Sequence, residues 1–216
     1  MWKMLPKATK SAVVSLIIIF LLATSGATPG RQISSSPVKI TIDPGHGGYD
    51  PGAIVSGVTE KSVNLKIAMA LRELGQQHPT LDFVFTRTTD DYIPLLDRLE
   101  YAEQHGSVGY LSIQANSFWD SGVSGVETIL DKTRKQGGSS WNMAQSIQDS
   151  IVSRTGARDR GLRYQRLYTR YTTIPSAMVE VGFLTSPSER GKLLSSSYRE
   201  SIAKGIIQGL LRHFSS

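Results

Sequence analysis

His46 stands in the run Ile-Asp-Pro-Gly-His-Gly-Gly, Ile42 to Gly48, where a short apolar strand gives way to a glycine-rich turn. Glu60 follows at the start of a stretch with helical periodicity, so a folded-back loop would let the imidazole and the carboxylate share a metal. Zinc accepts both donor types, and a catalytic zinc site uses three protein ligands with one position open for water. His46 and Glu60 supply two, which suggests a metal hydrolase. Taken alone, the pair also fits a turn histidine and an acid favoured by the helix dipole. Glu180 is the other chemically suggestive residue, because Ala177, Met178, Val179, Val181 and Phe183 surround it with apolar neighbours. A lone carboxylate there is costly unless paired. Burial would raise its pKa and a nearby cation would lower it, a balance suited to proton transfer near neutral pH. The alternative for Glu180 is a buried carboxylate tied to backbone donors.

These residues need elements to hold them. Val38 to Ile42 reads as a first strand, ended by Pro44 and the glycines. Val63, Ile67, Ala70, Leu71 and Leu74 recur at helical spacing from Thr59 to Leu74, with Thr59 as N-cap and Gly75 as stop. Strands follow at Phe83 to Thr86, Val108 to Ile113, Val126 to Leu130 and Ala177 to Phe183, and helices at Leu95 to Gln104, Gly138 to Ser153 and Ile202 to Phe214. Strands alternating with helices predict a single α/β domain, a mainly parallel twisted sheet flanked by helices on both faces. In such folds ligands sit beyond the carboxyl ends of the strands, where His46 and Gln114 fall and Glu180 could join them.

The whole chain sets the setting. Lys3, Lys7 and Lys10 precede an apolar run from Ala12 to Ala23 and then small residues, the pattern of a secretory signal peptide over 1–27, with an uncleaved anchor as the alternative. A polar connector over 28–36 then leads to one domain over 37–216. This predicts a secreted or envelope-associated protein on the extracellular side of the membrane. Cysteine is absent, which removes thiol chemistry and any disulfide framework. The net charge of +6 falls to about +3 once the three leader lysines are set aside, too moderate for a nucleic-acid binder. The excess is local: Arg154, Arg158, Arg160, Arg163, Arg166 and Arg170 face only Asp159. Such a stretch could face an anionic wall polymer or the rim of a carboxylate-rich substrate, or serve solubility alone.

The motif around His46 with Glu60 downstream, Ser-Ile-Gln-Ala-Asn at Ser112 to Asn116, and Val-Glu-Val-Gly-Phe-Leu-Thr-Ser-Pro at Val179 to Pro187 occur in one order and spacing. Together with Thr86-Arg87 and the Leu95, Arg98, Ala102 pattern, they resemble the zinc-dependent N-acetylmuramoyl-L-alanine amidases of bacterial cell walls. The resemblance implies Zn2+ as cofactor, with His46 and Glu60 as ligands and Glu180 in catalysis. It implies hydrolysis of the amide joining the lactyl group of N-acetylmuramic acid to L-alanine in a peptidoglycan muramoyl-peptide. No protein partner is inferred.

At the third ligand position the family has histidine and this chain has Gln114. Glutamine offers a neutral amide oxygen, a poorer donor than a ring nitrogen. Gln114 through its oxygen, an added water, or loss of the metal are the three alternatives. His78, His105 and His213 sit where structural roles suffice. Glu127 falls near the expected site rim, Arg87 and Arg98 are expected to fix loops, and Asn116 to hold a ligand or loop. Two further functions compete with an active amidase: a wall-binding protein that keeps the groove without efficient catalysis, and a generic zinc peptidase. The latter lacks a His-Glu-x-x-His helix.

Overall fold

The computed structural model describes residues 36–215. The expected leader, and all but the last residue of the connector, lie outside the described residues. Among the described residues no helix is long and apolar enough to cross a membrane.

Six strands build one sheet: β1 (Val38–Pro44), β4 (Leu81–Phe85), β5 (Gly109–Asn116), β6 (Val126–Asp131), β7 (Asp159–Gln165) and β8 (Ser176–Phe183). Their order is β4-β1-β5-β8-β6-β7. The first four are mutually parallel, and the parallel pair β6-β7 runs the other way against β8. Two short strands, β2 (Ile54–Val55) and β3 (Val58–Thr59), form a separate hairpin. Its turn residues Ser56 and Gly57 both have positive φ, 51° and 76°, as a tight two-residue hairpin turn requires. Five α-helices complete the fold: α1 (Glu60–Gly75), α2 (Leu95–Gln104), α3 (Ser139–Thr155), α4 (Pro187–Leu194) and α5 (Ser196–Phe214).

Strand alternation divides the sheet into two unlike faces. Leu111, Ile113 and Ala115 of β5 join Ile67 of α1, Ile147 of α3 and Ile206 of α5 in the main core. Tyr110, one residue out of phase, instead packs with Leu99 and Ala102 of α2 and with Tyr168. Ser112 and Gln114 lie on that second face, which α2 covers only in part and which therefore keeps room for a cleft.

The first helix ends at Gly75 as expected, and Gly75 is pressed against Phe83, where a Cβ would meet the ring at 2.7 Å. One expectation needs correction. Thr59 stands at the helix start but makes no side-chain capping bond. The hairpin tail does the anchoring instead: Glu60 N–H donates to Ala53 O at 2.9 Å. The strands β2, β3 and β7 and helix α4 were absent from the sequence reading.

Candidate active site

β1 delivers the glycine-rich loop, the β2-β3 hairpin delivers Glu60, and the adjacent strands β5 and β8 deliver Gln114 and Glu180. The last two are register partners, so their side chains share a face of the sheet. His46, Glu60, Gln114 and Glu180 all line one cleft of about 460 Å³, together with Asp50 and Tyr168. The structure thus brings all four anticipated site residues together.

His46 adopts φ 60°, a left-handed conformation that costs a non-glycine residue about 1 to 2 kcal/mol and is characteristic of functional turns. The loop crosses close to its neighbours. A Cβ at Gly45 would fall 1.9 Å from Gln114 Nε2, and one at Gly52 would fall 2.7 Å from both Glu60 Oε2 and His46 Cδ2. Side chains at these two positions would fill the space the site residues occupy.

His46 lies between two carboxylates, with Nδ1 2.8 Å from Asp50 Oδ2 and Nε2 3.3 Å from Glu60 Oε2. The hydrogen bond to Glu60 raises its pKa most, desolvation opposes, and Asp50 adds to the rise, leaving it at about 9. At neutral pH the imidazole therefore carries both protons. Glu60 is fixed by backbone donors on either side of the cleft: Ala53 N–H reaches Oε2 at 3.0 Å and Ala115 N–H reaches Oε1 at 3.2 Å. Asp50 is a residue the sequence reading missed. Its place four residues after His46, in a loop held by Gly52 N–H on Oδ1, was the available signal.

Glu180 is 9% exposed, and its Oε2 has no hydrogen-bond partner among the described residues. Burial pushes its carboxyl up, Glu60 and Glu127 push further, and His46 pulls back, giving a pKa of about 8. The backbone-tied carboxylate considered as its alternative is not what the structure has at Oε2. Glu127, the register partner of Glu180 on the other side, accepts from Asn116 Nδ2 at 3.1 Å and from Arg160 Nε at 2.7 Å. Asn116 thus holds a carboxylate beside the cleft.

Below the cleft lies Asp43, fully buried and paired with Arg98 Nη1 at 2.7 Å. Thr86 donates to Oδ1; Tyr110, Ser112 and Tyr168 donate to Oδ2. Desolvation would raise the Asp43 pKa, but Arg98 and the hydroxyl donors outweigh it and hold the carboxylate below its ordinary value. Arg98 also donates to Pro44 O and His46 O, which fixes the His46 loop as expected. Arg87 does so through Pro44 O and Gly45 O, pairing with backbone carbonyls rather than with an acid. Ser112 is buried in this network, which leaves it no role as a nucleophile.

Among the described residues no three His, Cys, Asp or Glu side chains converge as a metal-binding group. The third protein donor considered beside His46 and Glu60 is the Gln114 amide oxygen. Asn64 Nδ2 approaches that oxygen only at 3.4 Å, so it retains acceptor capacity. Two well-fixed donors and a carboxylate orienting the far nitrogen of the imidazole form a partial donor set for zinc with a weak third member, and Glu180, whose Oε2 is unpartnered, lines the same cleft.

Comparison with known proteins identifies the family. The sequence model of the N-acetylmuramoyl-L-alanine amidase family matches residues 40–212. A sporulation-specific N-acetylmuramoyl-L-alanine amidase of Bacillus subtilis is 35% identical over 179 residues, covering 82% of this chain and 68% of that protein. The amidase LytC of the same organism is 35% identical over 81% of this chain, which spans only 35% of LytC. A crystal structure of the N-acetylmuramoyl-L-alanine amidase from Clostridium difficile 630 superposes with a TM-score of 0.80 at 35% identity, covering 84% of this chain and 99% of that one. The chain belongs to the N-acetylmuramoyl-L-alanine amidase family.

Proposed function

We propose that this protein hydrolyses the amide between the lactyl group of N-acetylmuramic acid and L-alanine in peptidoglycan, using zinc held by His46, Glu60 and the Gln114 amide oxygen. The observation that carries the reading is Glu180: a buried carboxylate with an unpartnered oxygen, in the cleft that holds the His46–Glu60 pair. When bound, zinc would supply an acidified water, a positive charge for the developing oxyanion and a lower Glu180 pKa.

The chain's own residues do the rest. Asp50 fixes the ring of His46 through Nδ1, so that Nε2 is the nitrogen offered to the cleft. That nitrogen must first lose the proton it shares with Glu60. Glu180 takes the proton of the attacking water on its carboxylate and returns it to the departing alanine nitrogen, a role its unpaired oxygen and adjustable pKa support. No side chain becomes covalently attached to substrate. The cell-wall substrate accords with a secreted or envelope-associated location, and the arginine-rich stretch from Arg154 to Arg170 with contact to an anionic wall polymer.

A second reading is favoured by Gln114 itself: a peptidoglycan-binding member whose third ligand is too weak to retain zinc. The test is to incubate the protein with zinc and a soluble muramoyl-peptide and follow release of free L-alanine amino groups. Release that disappears in Glu180→Gln supports the amidase. Muropeptide binding without release, unrelieved by excess zinc, supports the binding protein.

A further inference from the structure

The face of the sheet that carries Gln114 and Glu180 continues past them. In one row Gln114, Glu180 and Glu127 are register partners across β5, β8 and β6. In the next row Ser112 pairs with Met178, Met178 with Ile129, and Ile129 with Arg163 across β5, β8, β6 and β7. Paired residues project to the same side, so Arg163 shares the cleft face at the sheet's edge. The opposite face is the one tied to the helices, as Thr128 Oγ1 shows by its 2.8 Å bond to Gln148 of α3. Met178, two strands inward from Arg163, already lines the cleft.

Arg163 is loosely held. Its side chain is 54% exposed, it makes no hydrogen bond with a described residue, and its nearest acid is Glu127 at 3.9 Å. Glu127 is already engaged by Arg160 on Oε2 and Asn116 on Oε1. The other acid on this face of β6, Asp131, is occupied by Thr133 on Oδ1 and by Leu167 N–H on Oδ2. The guanidinium fork is therefore available for a planar anion, the geometry in which arginine binds carboxylates bidentately.

We propose that Arg163 is a specificity-determining residue that binds a carboxylate of the stem peptide beyond the scissile amide. The inference rests on the amidase reading for the identity of the peptide. Two strand separations, about 10 Å, lie between the strand of Glu180 and that of Arg163. An extended peptide covers that distance in about three residues. The carboxylate thus belongs to the second or third residue of the stem, and the arginine edge supplies the charge complementary to it.

The test compares two muramoyl tripeptides, one with free carboxylates on its second and third residues and one with those carboxylates amidated. Wild type is expected to favour the free acid by about tenfold in kcat/KM, through KM. Arg163→Ala is expected to erase the preference, and Arg163→Lys, which keeps the charge without the fork, to restore part of it. Equal treatment of the two substrates by wild type and Arg163→Ala overturns the proposal. If wild type cleaves neither compound, the amidase reading fails, and calorimetric titration of the same two ligands still decides the role of Arg163. A free-acid preference present in wild type and lost in the variant supports it, and equal binding overturns it.

Discussion

Gln114 Nε2 donates to Ser112 Oγ at 2.9 Å. Ser112 in turn donates its only proton to the Asp43 carboxylate at 3.1 Å, so its remaining capacity is as an acceptor. The amide nitrogen of Gln114 must therefore face Ser112. Asn64 imposes the same choice from the other side, because Nδ2, shared with Gly45 O, approaches Gln114 at its oxygen. Two independent neighbours thus select one amide orientation, with Oε1 as the free acceptor.

The same network would orient an imidazole, its N–H toward Ser112 and its other nitrogen left as a lone pair. Gln114→His is accordingly expected to raise zinc affinity by at least about tenfold, since a ring nitrogen is the better donor. Chelator competition measures it. An unchanged affinity would show that position 114 does not reach the metal.

Zinc binding must also displace a proton from His46, whose pKa stands at about 9 in the structure. Below that value the apparent zinc affinity is expected to fall by about tenfold per pH unit, with a proton released on binding. Titrations at several pH values between about 6.5 and 8.5 check the slope. A flat profile would show that zinc binding displaces no proton from His46.

Glu180 trades stability for chemistry. Its pKa rises from 4.5 in the unfolded chain to about 8 when folded, so the folded state prefers the protonated form. The stability this represents is complete below pH 4.5 and is lost as pH rises through about 8. Glu180→Gln, neutral throughout, is expected to abolish hydrolysis yet to be more stable above pH 8, by a gain on the order of 5 kcal/mol that vanishes below pH 4.5. Denaturation at pH 4 and pH 8.5 reads it; an equal effect at both would contradict the buried, unpaired state of this carboxylate.

How far the sequence discloses this molecule depends on which residues carry a packing signal. The apolar runs of β1, β5 and β8 and the spacing in α1 and α2 show because those elements bury one or both faces in the core. β7, Asp-Arg-Gly-Leu-Arg-Tyr-Gln, reads as a charged surface because an edge strand is held on one side only and needs little apolar content. His46, Glu60 and Glu180 stand out through their motifs, and the structure lines one cleft with all three. Asp50 and the Asp43 network do not stand out, because their partners come from strands and helices distant in sequence. Tyr168, for example, reaches Asp43 across 125 residues.

Asp43 supplies the last expectation. Arg98 is 2% exposed and Asp43 fully buried, so removing the carboxylate leaves an uncompensated charge beneath the cleft. Breaking a buried pair in this way costs about 3 to 5 kcal/mol. Asp43→Ala is expected to lose stability in that range, whereas the double variant Asp43→Ala, Arg98→Met, which removes both charges, recovers much of it. The two should differ from wild type in one further respect. Both cut the donation from Ser112 to Asp43, which leaves Asn64 as the one neighbour that still selects the Gln114 orientation, and the double variant also removes the Arg98 bonds that fix the His46 loop. The restored double variant should therefore still bind zinc more weakly than wild type. Recovery of both stability and zinc affinity would show that neither the Ser112 donation nor the Arg98 bonds to the His46 loop are needed for metal binding, and would confine Asp43 to a role in folding.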